Sequence, residues 1–170
     1  MVEAGIEVYA DGPLRLSTST LRLAEMLRRF LAACKTGDYM AVLAFVDRNE
    51  ENARQLEALR ALSADYLRLP VLFGYGPRYL HSIGQLYKGG PPTGMFLVLT
   101  ATKSEDPIVP GANYTFGQLQ MAQALGDIEA LVRRSKPVLR LHLAQGVETG
   151  LPALREVFQM LLAASRPTSR

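Results

Sequence analysis

Apolar residues along the chain form five short runs, and longer stretches with helical spacing separate them. The runs are rich in β-branched and large side chains, which favours strands. Alternating strands and helices predict a mainly parallel sheet with helices on both faces. The five predicted strands are Ile6–Ala10, Met40–Val46, Pro70–Phe73, Met95–Thr100 and Val138–Leu143. The predicted fold class is therefore α/β, a three-layer αβα sandwich around a five-stranded sheet.

Two of these runs predict the centre of the sheet. Residues 41–46 and 95–99 are apolar throughout, as expected of parallel strands that helices cover on both faces. The run Val138–Leu143 instead alternates apolar with polar residues. Such alternation is typical of a strand with one wetter face, and it leads us to place this strand at an edge of the sheet.

Several helix starts carry capping signals. Asp47 and Glu50 have the spacing of a capping box before the second helix, and the fourth helix is predicted to begin near Thr115. The Ser/Thr run at residues 17–20 is predicted to cap the first helix. The fourth helix is predicted to present one apolar face, made of Phe116, Leu119, Ala122, Leu125 and Ile128.

Length and composition favour one cytoplasmic domain. The 170 residues, 48% of them apolar, suffice for one full core and are few for two. Cys34 has no second cysteine to pair with, and one cysteine with two histidines does not make a typical zinc cluster. Because so few such ligands are present, we expect no structural metal. No leader segment and no apolar run of about 20 residues is present, so we also expect no membrane span.

Charge changes this picture little. The net charge is +3, but 19 basic residues are scattered among 16 acidic ones without basic runs. Such mixing indicates an ordinary solvated surface rather than a nucleic-acid site. A mildly positive site for an anionic metabolite remains compatible with it.

Polar residues cluster just after the third predicted strand. The Gly/Pro-rich residues 74–77 lie at the carboxyl end of that strand, where open α/β folds bind ligands. His81 and Gln85 are four residues apart and would share a helix face, with Arg78 three residues before the histidine. Spacing alone favours an ordinary surface histidine beside a glutamine and leaves a catalytic role open.

The same stretch resembles a known family. Glucose-6-phosphate isomerases carry a Gln-His-Ser/Ala-x-x-Gln-Leu segment after a strand, matched here by residues 81–86, with Leu80 in place of the first glutamine. The preceding Gly-Tyr-Gly-Pro-Arg-Tyr-Leu and the following Lys-Gly-Gly-Pro are similar to the isomerase domain of bifunctional transaldolase/glucose-6-phosphate isomerases. Further matches lie at residues 37–39, 114–117 and 122–127.

The resemblance covers roughly residues 7–143 and implies a flavodoxin-like sugar isomerase (SIS) domain that interconverts glucose 6-phosphate and fructose 6-phosphate without a cofactor. It implies that His81 opens the sugar ring, because imidazole moves protons well near pH 7. The substrate-binding residues that we predict with it are Arg78, Ser82, Gln85, Lys88 and Gln118. The family's lysine seven positions after the residue matching Gln118 is absent, because Leu125 stands there.

The isomerase reaction also needs a carboxylate that carries a proton between C2 and C1 of an enediol, and the family places a glutamate upstream of the histidine. Asp65, sixteen residues before His81, is the best-placed carboxylate. An ordinary exposed aspartate at a helix end is the alternative that its position favours. Glu50 and Glu51 fit first-turn carboxylates that the helix dipole stabilises.

The family builds a complete enzyme from two such domains, and the sister domain supplies most of the phosphate contacts. This chain has room for one domain over residues 1–170. We therefore expect the C-terminal half of a larger isomerase, whose partners are a sugar phosphate and a sister SIS domain or transaldolase domain. Residues 17–20 only superficially resemble the family's phosphate loop. We also expect self-association through apolar surface.

Two other functions stay open. A non-catalytic sugar-phosphate-binding or assembly domain would keep the fold without the missing carboxylate and lysine. A flavin- or nucleotide-binding domain has the same order of strands and helices. The latter lacks a Gly-x-Gly-x-x-Gly turn after the first strand, where residues 11–13 read Asp-Gly-Pro.

Overall fold

Six strands form one sheet in the structure, a computed structural model that describes residues 2–11 and 22–165. The strands are β1 Val2–Glu3, β2 Ile6–Asp11, β3 Tyr39–Phe45, β4 Val71–Tyr75, β5 Gly94–Ala101 and β6 Val138–Leu143. Their order across the sheet is β1-β2-β6-β5-β3-β4. All five predicted strands are present, the two-residue β1 extends the sheet, and the predicted α/β class is confirmed.

The core of the sheet is parallel. Strands β4, β3, β5 and β6 run parallel to one another, while β2 pairs antiparallel with β6 and with β1. The four parallel strands follow the flavodoxin-like order 2-1-3-4. Since β3 and β5 are the two inner strands of the parallel four, the placement predicted from their continuous apolar runs is confirmed.

The prediction that β6 is an edge strand is wrong. Strand β2 pairs along its whole length with β6, from Ile6 opposite Leu143 to Asp11 opposite Val138. The alternation in β6 reflects polar neighbours on one face of the sheet. The Arg140 guanidinium stacks 3.7 Å above the centre of the Tyr9 ring.

Five α-helices in the described residues cover the two faces of the sheet. They are α1 Leu23–Ala32, α2 Glu50–Leu67, α3 Gly84–Gly89, α4 Phe116–Val132 and α5 Val147–Ser165. Helices α1, α2 and α5 pack on the first face through buried residues such as Phe30, Leu56 and Phe158. Helices α3 and α4 pack on the second face through Tyr87 and Leu131. Among the helices described, none is long and apolar enough to cross a bilayer.

Helix α1 is capped from a distance. The Leu23 N–H donates a 2.7 Å hydrogen bond to the Glu3 carboxylate, and the N-cap residue Arg22 makes no side-chain capping bond. Glu3 therefore ties the start of this helix to β1. The predicted cap at residues 17–20 lies outside the described residues.

Helix α4 begins where predicted but turns a different face to the core. Thr115 is its N-cap, which confirms the predicted start. Its buried residues are Ala124, Asp127, Ile128 and Leu131, whereas Phe116, Leu119, Ala122 and Leu125 are exposed. A spacing of three residues rotates by about 60° per step around a helix, so the predicted stripe spirals out of the core. Of that stripe, Ile128 is buried.

Candidate functional site

A crevice lies at the carboxyl ends of β3 and β5, where the connections leave the sheet in opposite directions. After β3 the chain crosses to α2 on the first face, and after β5 it crosses to α4 on the second face. Open α/β sheets bind ligands at such a switch point, because the diverging connections leave a gap between them. The topology therefore marks this edge of the sheet as the candidate site.

Two adjoining depressions form the crevice, with volumes of about 600 Å³ and about 170 Å³. The larger one lies between Pro77, just after β4, and the first two turns of α4. The smaller one extends to the start of α5. Residues that line both are Asp47, Lys103, Ser104 and Gln120.

An ion pair between Asp47 and Lys103 joins the ends of β3 and β5 across the crevice. Only 16% of the Lys103 side chain is exposed, whereas Asp47 is open to solvent. Asn49 caps α2 by accepting a 2.7 Å hydrogen bond from the Asn52 N–H. The predicted capping box of Asp47 and Glu50 is therefore wrong, and the Asp47 carboxylate serves the crevice instead.

The start of α4 is held by a capping box. The Gln118 N–H donates to Thr115 Oγ1 at 3.1 Å, and Gln118 Oε1 accepts from the Thr115 N–H at 2.9 Å. Asp106 accepts hydrogen bonds from the Thr115 hydroxyl and the Gly117 N–H, which lower the pKa of its carboxyl. The Gln118 amide oxygen is thus engaged in capping, and its NH₂ group is the part that a ligand could contact.

The other residues predicted to bind substrate lie on one segment, residues 76–91, called the His81 segment below. It contains a 3-10 turn, Arg78–His81, followed by α3. Tyr79 and Tyr87 are buried in the core of the second face and anchor the segment. The exposed polar residues between and around these anchors are Arg78, His81, Ser82 and Gln85.

Two glycines let the His81 segment lie close to the sheet. A β carbon on Gly74 would come within 2.9 Å of Tyr79 Cβ, and one on Gly76 would overlap the Phe45 ring. The rings of Phe45 and Tyr79 meet edge to face, with centroids 6.1 Å apart. The Gly-Tyr-Gly-Pro sequence therefore determines where the following turn presents His81.

The continuous helix that would put His81 and Gln85 on one face is not present. Ser82 and Ile83 separate the 3-10 turn from α3, and Ser82 has φ −132° and ψ −84°, outside the helical range. Because the helix is interrupted, the spacing of four residues does not align the two side chains. Their relative placement depends on the backbone at Ser82.

Lys88 has a partner inside the protein. Its ammonium lies 2.5 Å from Asp127 Oδ1 on α4, and the Tyr79 hydroxyl donates a hydrogen bond to Asp127 Oδ2. Burial raises the pKa of the Asp127 carboxyl to about 6. Lys88 is thus turned toward α4 rather than toward the exposed side chains around His81. The sequence assigned Asp127 no role, although it belongs to the matched residues 122–127.

The structure keeps Asp65 apart from His81. Asp65 is exposed near the end of α2, which packs on the first face and precedes the start of β4. His81 follows the end of β4 on the second face. The two residues therefore lie toward opposite ends of β4, and the structure does not bring Asp65 beside His81 within one chain.

A second histidine lies beside the crevice and was not predicted as a site residue. His142 Nδ1 lies 3.0 Å from the Thr100 hydroxyl, and Nε2 lies 3.1 Å from the hydroxyl of Thr102, which lines the smaller depression. Burial lowers the pKa of the imidazole. The polar positions of β6 were the available signal, since they end at the carboxyl edge of the sheet.

The described residues contain no group of three His, Cys, Asp or Glu side chains placed to hold a metal ion. The crevice is lined by the Asp47–Lys103 ion pair, by the carboxylates of Glu105 and Glu148, and by amides and hydroxyls, whereas the His81 segment adds an imidazole and a guanidinium. The groups of the His81 segment can bind a hydroxylated, anionic molecule and move protons on it.

Comparisons with known proteins support the fold. No protein-family model and no curated protein matches the chain. Among solved structures, the chain is similar to a hypothetical protein, TT0462, from Thermus thermophilus, with a TM-score of 0.60 and 17% sequence identity. The match covers 82% of this chain and 38% of that protein. The chain therefore spans well under half the length of that neighbour, and the likeness establishes the α/β fold alone.

Proposed function

We propose that the chain is a sugar-phosphate aldose-ketose isomerase domain that acts on glucose 6-phosphate and fructose 6-phosphate. The observation that carries the proposal is the His81 segment, which buries its tyrosines and exposes a histidine at the candidate binding edge of the sheet. His81 moves a proton between the ring oxygen and the anomeric hydroxyl when the sugar ring opens. The resemblance of the same residues to glucose-6-phosphate isomerases supports this role.

Substrate contacts are proposed for the exposed side chains near His81 and for the start of α4. Arg78 offers a charged fork for phosphate, Ser82 and Gln85 offer hydrogen-bonding groups for sugar hydroxyls, and the Gln118 NH₂ group lies at the same edge of the sheet. Lys103 brings no net positive charge to the crevice, because Asp47 pairs with it and the carboxylates of Glu105 and Glu148 also line the crevice. No cofactor enters this reaction, because it only moves protons.

The site is proposed to be completed by a sister SIS domain or a second subunit. Asp65 lies toward the opposite end of β4 from His81, and Asp127 is engaged with Tyr79 and Lys88. Neither carboxylate can then move the proton between C2 and C1, so a partner is proposed to supply that group and most phosphate contacts. The share of the Thermus neighbour that the chain covers fits one unit of a larger protein.

The alternative is a non-catalytic sugar-phosphate-binding or assembly domain. The observation that favours it is the exposed apolar surface of α4, where Phe116 and Leu125 are each 45% exposed. Leu125 occupies the position at which the resemblance expects a lysine. A domain that keeps the sugar site but uses α4 for assembly would bind sugar phosphates without turning them over.

A reducing compartment fits the chain, and we place the protein in the cytoplasm. Cys34 is the one cysteine of the sequence, so the chain has no internal disulfide to form. Burial raises the pKa of its thiol to about 12, which keeps it in the unreactive thiol form.

The test is a calorimetric titration of the chain with fructose 6-phosphate and with 5-phosphoarabinonate, a mimic of the enediolate, together with a coupled isomerase assay. We expect binding that His81→Ala weakens at least tenfold. Asp65→Asn is the matched control and leaves binding unchanged, because Asp65 lies toward the opposite end of β4. Turnover separates the isomerase from the non-catalytic alternative. Equal binding by the wild type and His81→Ala would refute the proposed site.

A further inference from the structure

Asp127 is a charged residue where the fold needs none. Its side chain is only 3% exposed, and it lies on the face of α4 that packs against the sheet. Burying a carboxylate costs free energy, and replacing a buried ion pair by well-packed apolar residues is often neutral or stabilising. Neighbouring positions on the same face are apolar: Ala124, Ile128 and Leu131. The position of Asp127 therefore calls for a role beyond packing.

Both carboxylate oxygens of Asp127 contact the His81 segment. Oδ2 accepts a hydrogen bond from the Tyr79 hydroxyl, two residues before the histidine, and Oδ1 lies 2.5 Å from Lys88 Nζ, seven residues after it. The two contacts enclose His81, Ser82 and Gln85, while Arg78 lies directly before Tyr79. One side chain on α4 thus holds the segment on both sides of His81.

The His81 segment depends on such contacts for its order. Its helical parts are a four-residue 3-10 turn and the six-residue α3, and isolated helices this short are unstable in water. Lys136 fixes its far end, where Nζ donates hydrogen bonds to the Gly90 and Pro91 carbonyl oxygens at 3.1 and 2.5 Å. Near His81, the polar tie between the segment and α4 is the Asp127 carboxylate.

We infer that Asp127 is a positioning residue that holds His81 in place by fastening Tyr79 and Lys88 to α4. The anchoring follows from the contacts themselves, while its consequence for turnover rests on the proposed function. Hydrogen bonds and ion pairs around an active group act by fixing its geometry, and small displacements of a proton-transfer group cost large factors in rate.

The anchoring is tested without any sugar phosphate. Asp127→Ala and Asp127→Asn are compared with Glu129→Gln, a matched control that removes an exposed carboxylate two residues along the same helix. We expect Asp127→Ala to speed amide hydrogen exchange in residues 78–89 by about tenfold or more, with exchange in β3 and β5 unchanged. The His81 imidazole resonances shift in the same variant. Glu129→Gln leaves both measurements as in the wild type.

Asp127→Asn keeps the test decisive if the alanine variant folds poorly. The amide retains an oxygen that accepts the Tyr79 hydrogen bond but loses the charge that holds Lys88. Since 29% of the Lys88 side chain is exposed, its ammonium can turn to solvent rather than stay buried and unpaired. We expect faster exchange in α3, beside Lys88, with a smaller effect on the turn that contains Tyr79.

Turnover provides the second readout. We expect Asp127→Asn to lower kcat for fructose 6-phosphate several-fold with a smaller change in KM, since the exposed binding groups remain. If the wild type neither binds 5-phosphoarabinonate nor turns over fructose 6-phosphate, the proposed function fails while the exchange result still decides the anchoring. Unchanged exchange in residues 78–89, or faster exchange spread evenly over the whole sheet, would overturn the inference.

Discussion

Gly76, at the start of the His81 segment, lies directly against the ring of Phe45 at the end of β3. A β carbon on Gly76 would overlap the ring atoms, and the ring has no room to retreat, because Phe45 is buried in the core of the second face. The two residues tie the segment after β4 to the central strand of the sheet. The glycine is therefore a packing requirement of the candidate site.

Replacing Gly76 by alanine is expected to destabilise the fold. Inserting a methyl group into a packed core costs about 1 to 3 kcal/mol, so the free energy of unfolding in urea falls by about that amount. Gly126→Ala is the control, because a β carbon there meets no atom within 4 Å and alanine is favoured in a helix interior by about 1 kcal/mol. A Gly76→Ala protein as stable as the wild type would contradict the packing argument.

The Asp127 carboxyl is expected to make stability depend on pH. Burial raises its pKa to about 6 in the folded state, against an ordinary value of 3.8 when unfolded. Between pH 4 and 6 the carboxyl is ionised in the unfolded chain but still protonated in the folded protein. The stability that this group contributes is therefore greatest below pH 4 and is lost as pH rises through 6. The shift corresponds to a loss on the order of 3 kcal/mol.

Urea unfolding of the wild type and Asp127→Asn between pH 4 and 7 measures this effect. As pH rises, the free energy of unfolding of the wild type should fall relative to that of Asp127→Asn. If attraction by Lys88 outweighed burial, the carboxylate form would be favoured and the difference would move in the opposite direction. A carbon-13 titration of Asp127 reports the pKa directly.

The sequence predicted a strand's place in the sheet well where the strand's own residues determine that place. Continuous apolar runs identify β3 and β5 as central, because parallel strands bury both faces. The place of β6 was mistaken, because its neighbour β2 comes from the other end of the chain and local pattern does not report such pairing. Likewise, Asp127 is buried against Tyr79 and Lys88, which lie outside α4. The pattern of apolar residues within α4 gives no information about such partners.

The candidate site was predictable in part. The role of His81 stays a prediction from its segment, and the structure adds that the side chain is exposed beside buried tyrosines. The crevice pair was overlooked although a signal existed, since Asp47 and Lys103 each follow closely after a central apolar run. The sequence did not show that these two charges meet. They meet because β3 and β5 pair in parallel, which brings the ends of the two strands together.

Cys34 is expected to be nearly inert in the folded protein. Its pKa is raised to about 12 by burial, so at pH 8 the folded state holds on the order of 1,000 times less thiolate than a free cysteine. Labelling with a disulfide reagent at pH 8 should be slow in buffer. In concentrated urea it should be fast, close to the rate of a model thiol. Rapid labelling of the folded protein would show that the thiol is more accessible and more acidic than its surroundings imply.

The exposed apolar residues of α4 are expected to drive self-association. Phe116 is 45% exposed and Leu119 is 37% exposed, and the two side chains lie about 60° apart around the start of the helix, so they form one patch. Burying such side chains between two copies gains about 25 cal/mol per Å² of apolar surface. A charged residue in this patch should abolish this gain, so Leu119→Glu is expected to shift sedimentation toward the monomer. Met160→Glu, an exposed apolar position on α5, is the control and should not change the sedimentation profile. A wild type that stays monomeric at all concentrations would contradict the role of α4 in assembly.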